Sequence, residues 1–380
     1  MIFVGIMIAA GALFAAGIGS TPVHADDWFD CKYGIEEGLL PDEGIEGCTR
    51  ILKGGFQNEK NTAIAFGYRC GHYVNKEEYD KAIRDCDTAI EFDRTSGFAY
   101  NWRGIAYHRT KRYDAAFSDY DNAIRYSPND GVPYSNRAGI LYMRGNKEQA
   151  LIDYNKSVAL APKDGRMWRS RASFYIDEQQ YDKARQDLEK AASLGEKDAR
   201  MAFTRGRLDF ATGDYRAALS QFDDAVGSPQ ARNAYYYRSR TYAALKDISS
   251  ALSDADMFVQ NQPDEIAAYS WRGRLYASSK DYASASKDFA VVIKMGNRSA
   301  YMLNELAWSL FKAGRNSEAL TYAEEAYKLA SSDANVIDTR AHVYEALGRK
   351  QEAISDFRKA VALKPELETS RLGLRRLGAE

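Results

Sequence analysis

Four cysteines, four histidines and a long series of arginines and carboxylates are the residues of this chain that could do chemistry. Cys31, Cys48, Cys70 and Cys86 could form disulfides, hold a metal or supply a thiolate. Four cysteines allow three pairings. A zinc cage is poorly served, because no histidine is spaced with these cysteines as such a cage requires. His72, His108 and His342 lie far apart along the chain, and His24 sits near its start. No G-x-G-x-x-G follows a strand, and no P-loop lysine, H-E-x-x-H or G-x-S-x-G is present. The expectation is a chain with no catalytic centre, no metal and no cofactor.

Composition narrows the function classes further. The 380 residues carry 52 Lys+Arg against 53 Asp+Glu, a formal net charge of -1. That balance gives no bulk attraction to nucleic acid or to a membrane surface. Apolar residues at 45% rule out a disordered chain. Eight prolines favour helices over β-sandwiches. Residues 2–19 (IFVGIMIAAGALFAAGIG) are uncharged and run into Val23-His24-Ala25. An apolar run ending in small-x-Ala reads as a signal peptide, residues 1–25, cut after Ala25. No Lys or Arg precedes it, and an uncut membrane anchor is the alternative. Either way residues 26–380 are expected outside the cytoplasm, periplasmic or secreted, with a bacterial periplasm the leading expectation.

The elements that must position these residues show themselves as a repeat. The motif around Tyr100-Asn101-Trp102-Arg103-Gly104 recurs from starts at Ala63, Gly97, Gly131, Gly165, Ala199, Arg232, Ile266, Ala300 and Ala334. Every step is 34 residues except the 33 from Ala199 to Arg232. Position 20 is alanine in all nine copies, from Ala82 to Ala353. Position 8 is always small: Cys70, Gly104, Ala138, Ala172, Gly206, Ser239, Gly273, Ala307, Ala341. Two helices approach to about 8–10 Å only where side chains are small. Position 11 is mostly Tyr, position 24 often aromatic or Leu, and proline at position 32 (Pro128, Pro162, Pro263, Pro365) closes the second helix.

This pattern resembles the tetratricopeptide repeat over residues 63–367. The resemblance implies an all-α fold, a right-handed α-α superhelix of about nine helix-turn-helix repeats with a concave groove lined by each first helix. Each pair buries only part of its apolar surface, so neighbours complete the core. Residues 26–62 read as a degenerate N-terminal unit with a long turn at 38–47. Residues 368–380 read as a capping helix. In this frame Cys70 and Cys86 occupy facing positions 8 and 24, and Cys31 and Cys48 stand in nearly the same relation. The favoured pairings are therefore Cys31–Cys48 and Cys70–Cys86, each contributing about 3 kcal/mol.

Position 7, usually apolar in the family, is arginine in eight of nine repeats: Arg69, Arg103, Arg137, Arg171, Arg205, Arg238, Arg272 and Arg340. Position 23 carries Asp85, Asp119, Asp153, Asp187, Asp254, Asp288 and Asp356. Repeat eight lacks both, with Leu306 and Tyr322, which suggests that the two meet. A packing ladder is preferred over a run of ligand-binding arginines. In irregular repeat five, Asp209 is expected to pair with Arg205 or Arg238.

Family geometry places positions 2, 5, 9, 12 and 13 on the concave side, with 6 at its edge. The candidate partner-binding residues are Trp102, Tyr142, Arg166, Arg169, Phe203, Arg207, Tyr236, Tyr237, Arg240, Trp271, Arg274 and Trp308. Asn304, Glu305, Trp308, Phe311, Asp338, His342 and Glu345 are expected to give the groove a mixed or acidic end. Arg207, Arg240 and Arg274 share position 9 and are expected to form a stripe. Arginine with aromatic residues is the composition of binding hot spots. The leading expectation is a non-catalytic scaffold taking an acidic, extended protein segment, against a merely solvated charged face. The alternatives are a binder of an anionic polysaccharide or cell-wall fragment, and a structural solenoid that self-assembles into a homo-oligomer. No nucleic acid partner is expected.

Overall fold

A computed structural model describes residues 25–36, 41–54 and 58–379. The expected signal peptide, all but Ala25, lies outside the described residues. Twenty-one α-helices follow one another, with no strand among the described residues. They are α1 (Ala25–Glu36), α2 (Pro41–Lys53), α3 (Glu59–Asn75), α4 (Tyr79–Phe92), α5 (Gly97–Arg109), α6 (Tyr113–Tyr126), α7 (Gly131–Met143), α8 (Lys147–Leu160) and α9 (Gly165–Asp177). Then come α10 (Tyr181–Ser193), α11 (Ala199–Thr212), α12 (Tyr215–Ala225), α13 (Ala234–Ala244), α14 (Ile248–Asn261), α15 (Ile266–Ser278) and α16 (Tyr282–Lys294). The last are α17 (Ala300–Lys312), α18 (Asn316–Leu329), α19 (Ala334–Ala346), α20 (Lys350–Leu363) and α21 (Glu368–Leu377). The chain forms two compact units, dividing between Phe174 and Tyr175.

Within each unit the expected helix pairs pack in sequence order. The nine position-20 alanines are fully buried, each with 0% exposure. The small residue at position 8 receives the ring at position 24. A Cβ built on Gly104 would lie 2.7 Å from the Tyr120 ring, and one on Gly273 would lie 2.9 Å from that of Phe289. First helices are capped from the preceding turn: Ser96, Asp130, Asp198, Ser299 and Asp333 accept backbone N–H groups. Second helices stop two residues before Pro128, Pro162, Pro263 and Pro365. Position 15 closes every turn in the left-handed region, with φ between 58° and 86°, whether it is glycine or not.

Two expectations change. Of the long turn expected at 38–47, residues 41–47 are helical instead, because α2 begins at Pro41. Proline suits a first helical position, and Asp42 and Glu43 complement the helix N-terminus. Among the described residues Asp209 of repeat five forms no ion pair, although the Arg205 charge lies near enough to act on it. Arg238 turns to Asp254 and Asp223 instead. The shortened step is taken up by a 3₁₀ turn, Pro229–Ala231, and α13 begins only at Ala234.

The structure closes Cys31–Cys48 and Cys70–Cys86, with Cα separations of 4.6 and 5.5 Å. The second replaces the small-residue-to-ring contact seen elsewhere at positions 8 and 24. The first clasps α1 to α2 where Gly47 leaves room for the α1 backbone at Asp27 and Cys31. His72 of α3 lies against Gly44 and meets the Cys31 carbonyl through Nε2 at 2.9 Å. It thereby seats the leading pair on α3.

Candidate functional site

The arginines sort into two groups by what they touch. At position 7 six arginines grip the aspartate at position 23, whereas Arg205, whose repeat has Gln221 there, makes no such pair among the described residues. In the first unit Arg69, Arg103 and Arg137 donate through Nε and Nη2 to Asp85, Asp119 and Asp153 at 2.6–2.9 Å. In the second unit Arg238, Arg272 and Arg340 do the same to Asp254, Asp288 and Asp356 at 2.7–2.8 Å. The remaining Nη1 reaches back one repeat. It donates from Arg103 to Asp87 at 2.6 Å, and from Arg137 to Asp121, Arg238 to Asp223 and Arg272 to Asp256 at 2.8 Å. Arg171 uses Asn155 in the same way.

Arg103, Arg137, Arg238 and Arg272 therefore pin both helices of their own repeat and the second helix of the one before. Sequence reasoning found the first link and missed the second. Its signal was the Asp or Asn at position 25, sixteen residues before the arginine in Asp87, Asp121, Asn155 and Asp256. Burial works against the Arg103 charge, but Asp119 and Asp87 outweigh it and hold its pKa above the ordinary value. These guanidiniums are not available to a ligand.

The inner-face candidates behave differently. In the first unit, Trp102 packs edge-on to Phe98 at 6.2 Å, and Tyr142 meets Phe174 at 5.3 Å. Arg166 is bound to Asp164 by its Nε and Nη2. Burial would raise Asp164, but Arg166 and then Arg169 outweigh it and hold the carboxyl below its ordinary range. These two arginines are thus already directed at a carboxylate of their own chain.

In the second unit an aromatic tract crosses α11, α13 and α15. Phe203 meets Tyr237 at 5.4 Å, Tyr237 meets Tyr236 at 5.4 Å, and Tyr236 meets Trp271 at 6.0 Å. Trp271 Nε1 donates to Ser239 Oγ at 2.7 Å, tying α15 to α13. The three expected stripe residues do not share one state. Arg207 forms an ion pair with Asp177 and is 12% exposed. Arg240 lies 4.9 Å from the centre of Phe210, 5.4 Å from Tyr236 and 5.6 Å from Tyr237. Among the described residues no carboxylate lies within 4.0 Å of it. Arg274 is exposed, 5.8 Å from the Trp271 ring.

The reason lies one repeat back. An arginine at position 9 meets positions 12–13 of the preceding first helix. Arg207 finds Asp177 there, and Arg376 of α21 finds Glu345. Arg240 finds Phe210 there, and the residues at the corresponding positions ahead of Arg274 are Ala243 and Ala244, which carry no charge. The expected stripe therefore contracts to two arginines. Trp308 continues the face on α17, 5.4 Å from Phe311 and 5.7 Å from His342. The expected acidic end is not open. Asp338 and His342 are 7% exposed, because α21 docks over them. Ser370 and Thr369 donate to Asp338, and Arg376 binds Glu345.

Models of the tetratricopeptide repeat match residues 97–130 and 334–367, 203–266 and 271–334, and 166–198. The chain belongs to the tetratricopeptide repeat family. Tetratricopeptide solenoids are typically non-catalytic protein-interaction scaffolds. Two solved structures share the fold: the APC/C hetero-tetramer Cut9-Hcn1, at TM-score 0.62, 16% identity, 94% of this chain and 70% of that one, and the human IFIT1 dimer with PPP-AAAA, at TM-score 0.53, 14% identity, 88% of this chain and 89% of that one. Among curated proteins, DnaJ homolog subfamily C member 3 is similar. The human protein is 28% identical and the rat protein 29% identical over 175 residues. That stretch is 42% of this chain and 35% of each relative, so the chain spans about a third of their length.

Three histidines of this tetratricopeptide chain add a pH dependence. Burial lowers His72, His108 and His342; the Cys31 carbonyl opposes the shift at His72, Arg109 reinforces it at His108, and Asp338 opposes it at His342. The unfolded chain then takes up protons first as pH falls through about 6.5. Stability is fully present above that value and is lost below it until the folded histidines titrate. Thermal unfolding followed by circular dichroism is expected to show a lower midpoint at pH 5.5 than at 7.5. An unchanged midpoint would contradict the neutral state of these rings.

Proposed function

We propose that this chain is an exported, non-catalytic scaffold that takes an acidic, extended protein segment on the inner face of its second unit. Arg240 carries the reading. Its guanidinium is held by three rings, faces no carboxylate of its own chain among the described residues, and is therefore preorganised for one supplied from outside. Cation–π contacts of this kind hold a charge in place without neutralising it. Arg274 stands on the next first helix, exposed, and Trp271 and Tyr236 form an apolar floor between them. Arg and aromatic side chains in one patch are the residues that dominate binding energy. The apolar leader and the two disulfides support an oxidising location outside the cytoplasm.

The test is binding of a labelled acidic peptide to the full chain, with R274E and R240E/R274E as variants. R274E is expected to weaken binding about tenfold, roughly 1.4 kcal/mol, with an unchanged melting midpoint, since Arg274 is exposed. The double variant is expected to lose binding, and the wild-type affinity to fall with added salt. Unchanged peptide binding by R240E/R274E would end this reading. An anionic oligosaccharide bound in preference to every acidic peptide would replace it with a glycan-binding one.

A further inference from the structure

The C-terminal helix α21 is held over the end of the inner face chiefly by polar contacts. Of its 10 residues, Leu374 is the one apolar side chain deeply buried. An isolated helix this short is marginal in water. Gly373 lies against the Phe357 ring of α20, and Arg358 of α20 donates to the Ala379 carbonyl. Two carboxylates fasten α21 to α19. Ser370 Oγ donates to Asp338 Oδ1, and Thr369 Oγ1 donates to Asp338 Oδ2. Arg376 donates to Glu345, through Nε to Oε1 at 2.9 Å and through Nη2 to Oε2 at 2.6 Å.

His342 stands between these two carboxylates. Its Nε2 lies 3.6 Å from Asp338 Oδ1, and its Nδ1 lies 3.6 Å from Glu345 Oε2. Those are the oxygens that Ser370 and Arg376 Nη2 already occupy. Nε2 is buried with no hydrogen-bond partner. Nδ1 accepts from Arg376 Nη2 at 3.4 Å, which it can do only while unprotonated. The rest of the shell is aromatic: Trp308 and Phe311 of α17 at 5.7 and 5.8 Å, and Phe357 of α20 at 4.9 Å. The charges acting on the ring are Asp338 and Glu345 of α19, Arg376 of α21 and Lys312 of α17.

We infer that α21 is an acid-released latch: a proton on His342 draws Asp338 and Glu345 away from Ser370 and Arg376 and frees the helix from α19. An imidazolium donates from both nitrogens. Those donors face Asp338 Oδ1 and Glu345 Oε2, so the ring competes with α21 for the same two atoms. Arg376, until then a donor to Nδ1, becomes a like charge beside it. In the docked state burial pushes the ring below its ordinary pKa; Asp338 and then Glu345 oppose the shift, and Arg376 and Lys312 add to it. Release removes Arg376 and admits water, so the open state binds the proton more tightly. Acid therefore favours opening. With an ordinary value of about 6.5 in the open state, one proton shifts the docking equilibrium about tenfold by pH 5.5. Opening uncovers two carboxylates and the Phe357 ring, a face that α21 keeps closed near neutral pH. The latch involves neither Arg240 nor Arg274.

Hydrogen–deuterium exchange of the full chain, read by mass spectrometry at pH 7.5 and 5.5 and corrected for the intrinsic rate at each pH, tests this. Protection of residues 368–377 is expected to fall about tenfold at the lower pH, while α19 and α20 keep theirs. H342F and H342Q carry no titratable group at this position and retain His72 and His108. Each is expected to show the same α21 protection at both pH values. Wild-type protection of α21 that does not change with pH would overturn the latch. So would a fall of equal size in either variant, or one shared equally by α19 and α20, which would report general acid unfolding instead.

Discussion

Arg103→Ala is expected to cost about 3 kcal/mol of stability, because it leaves Asp119 charged, buried and without its guanidinium. Asp119 is 3% exposed, and Arg103 gives it two hydrogen bonds at 2.7 and 2.8 Å. The same side chain also binds Asp87, so the loss loosens the seam between two repeats as well as one helix pair. The effect should not add to that of Asp119→Ala. A double-mutant cycle is expected to give a coupling above about 1 kcal/mol, as for other contacting, charged pairs. Replacing the pair together by Leu and Leu is expected to recover part of the loss, since an uncompensated buried charge is worse than none. Urea unfolding midpoints of the four variants measure this. Zero coupling would show that the ladder is decorative.

Gly206→Leu is expected to destabilise by about 3 kcal/mol, through overpacking. A Cβ at this position would stand 2.6 Å from the Phe222 ring, and Phe222 is fully buried in the second unit. The ring has nowhere to go, because it also packs against Phe203 and Tyr237 at 6.1 and 5.9 Å. Gly206→Ala combined with Phe222→Leu is expected to be more stable than Gly206→Ala alone, since trimming the ring makes room for the methyl group. One of those rings, Tyr237, also packs against Arg240, so Gly206→Leu should weaken acidic-peptide binding without touching a charged residue. Thermal midpoints together with peptide anisotropy would show it. A Gly206→Leu protein of native stability would mean that helices α11 and α12 are not in the contact described.

The two expected effects were legible in the sequence to different degrees. Alanine at position 20 and a small residue at position 8 in every copy can only mean close helix contact. The paired absence of Arg and Asp in repeat eight likewise exposed the short arm of the ladder. Its longer arm, from Arg103 to Asp87 or Arg272 to Asp256, joins neighbouring repeats. Which second helix stands beside which arginine depends on how pairs stack. The cysteine pairs could be chosen from the frame because each links facing positions within one helix pair. The start of α2 at Pro41 could not, since no second copy of that degenerate unit exists to compare it with.

Periodicity alone determined that this chain is a stack of two-helix units, where it begins to repeat, and which positions face inward between helices. Those are consequences of backbone geometry and side-chain size, which recur wherever the residue recurs. Only the tertiary structure decided which inner-face arginines are free. Arg207, Arg240 and Arg274 are identical by position, yet the first meets Asp177, the second three rings and the third, exposed, the carbonyl of Ser270 on its own helix. A charge interacts with whatever lies within a few ångströms, and in a solenoid that neighbour belongs to the next unit of the stack.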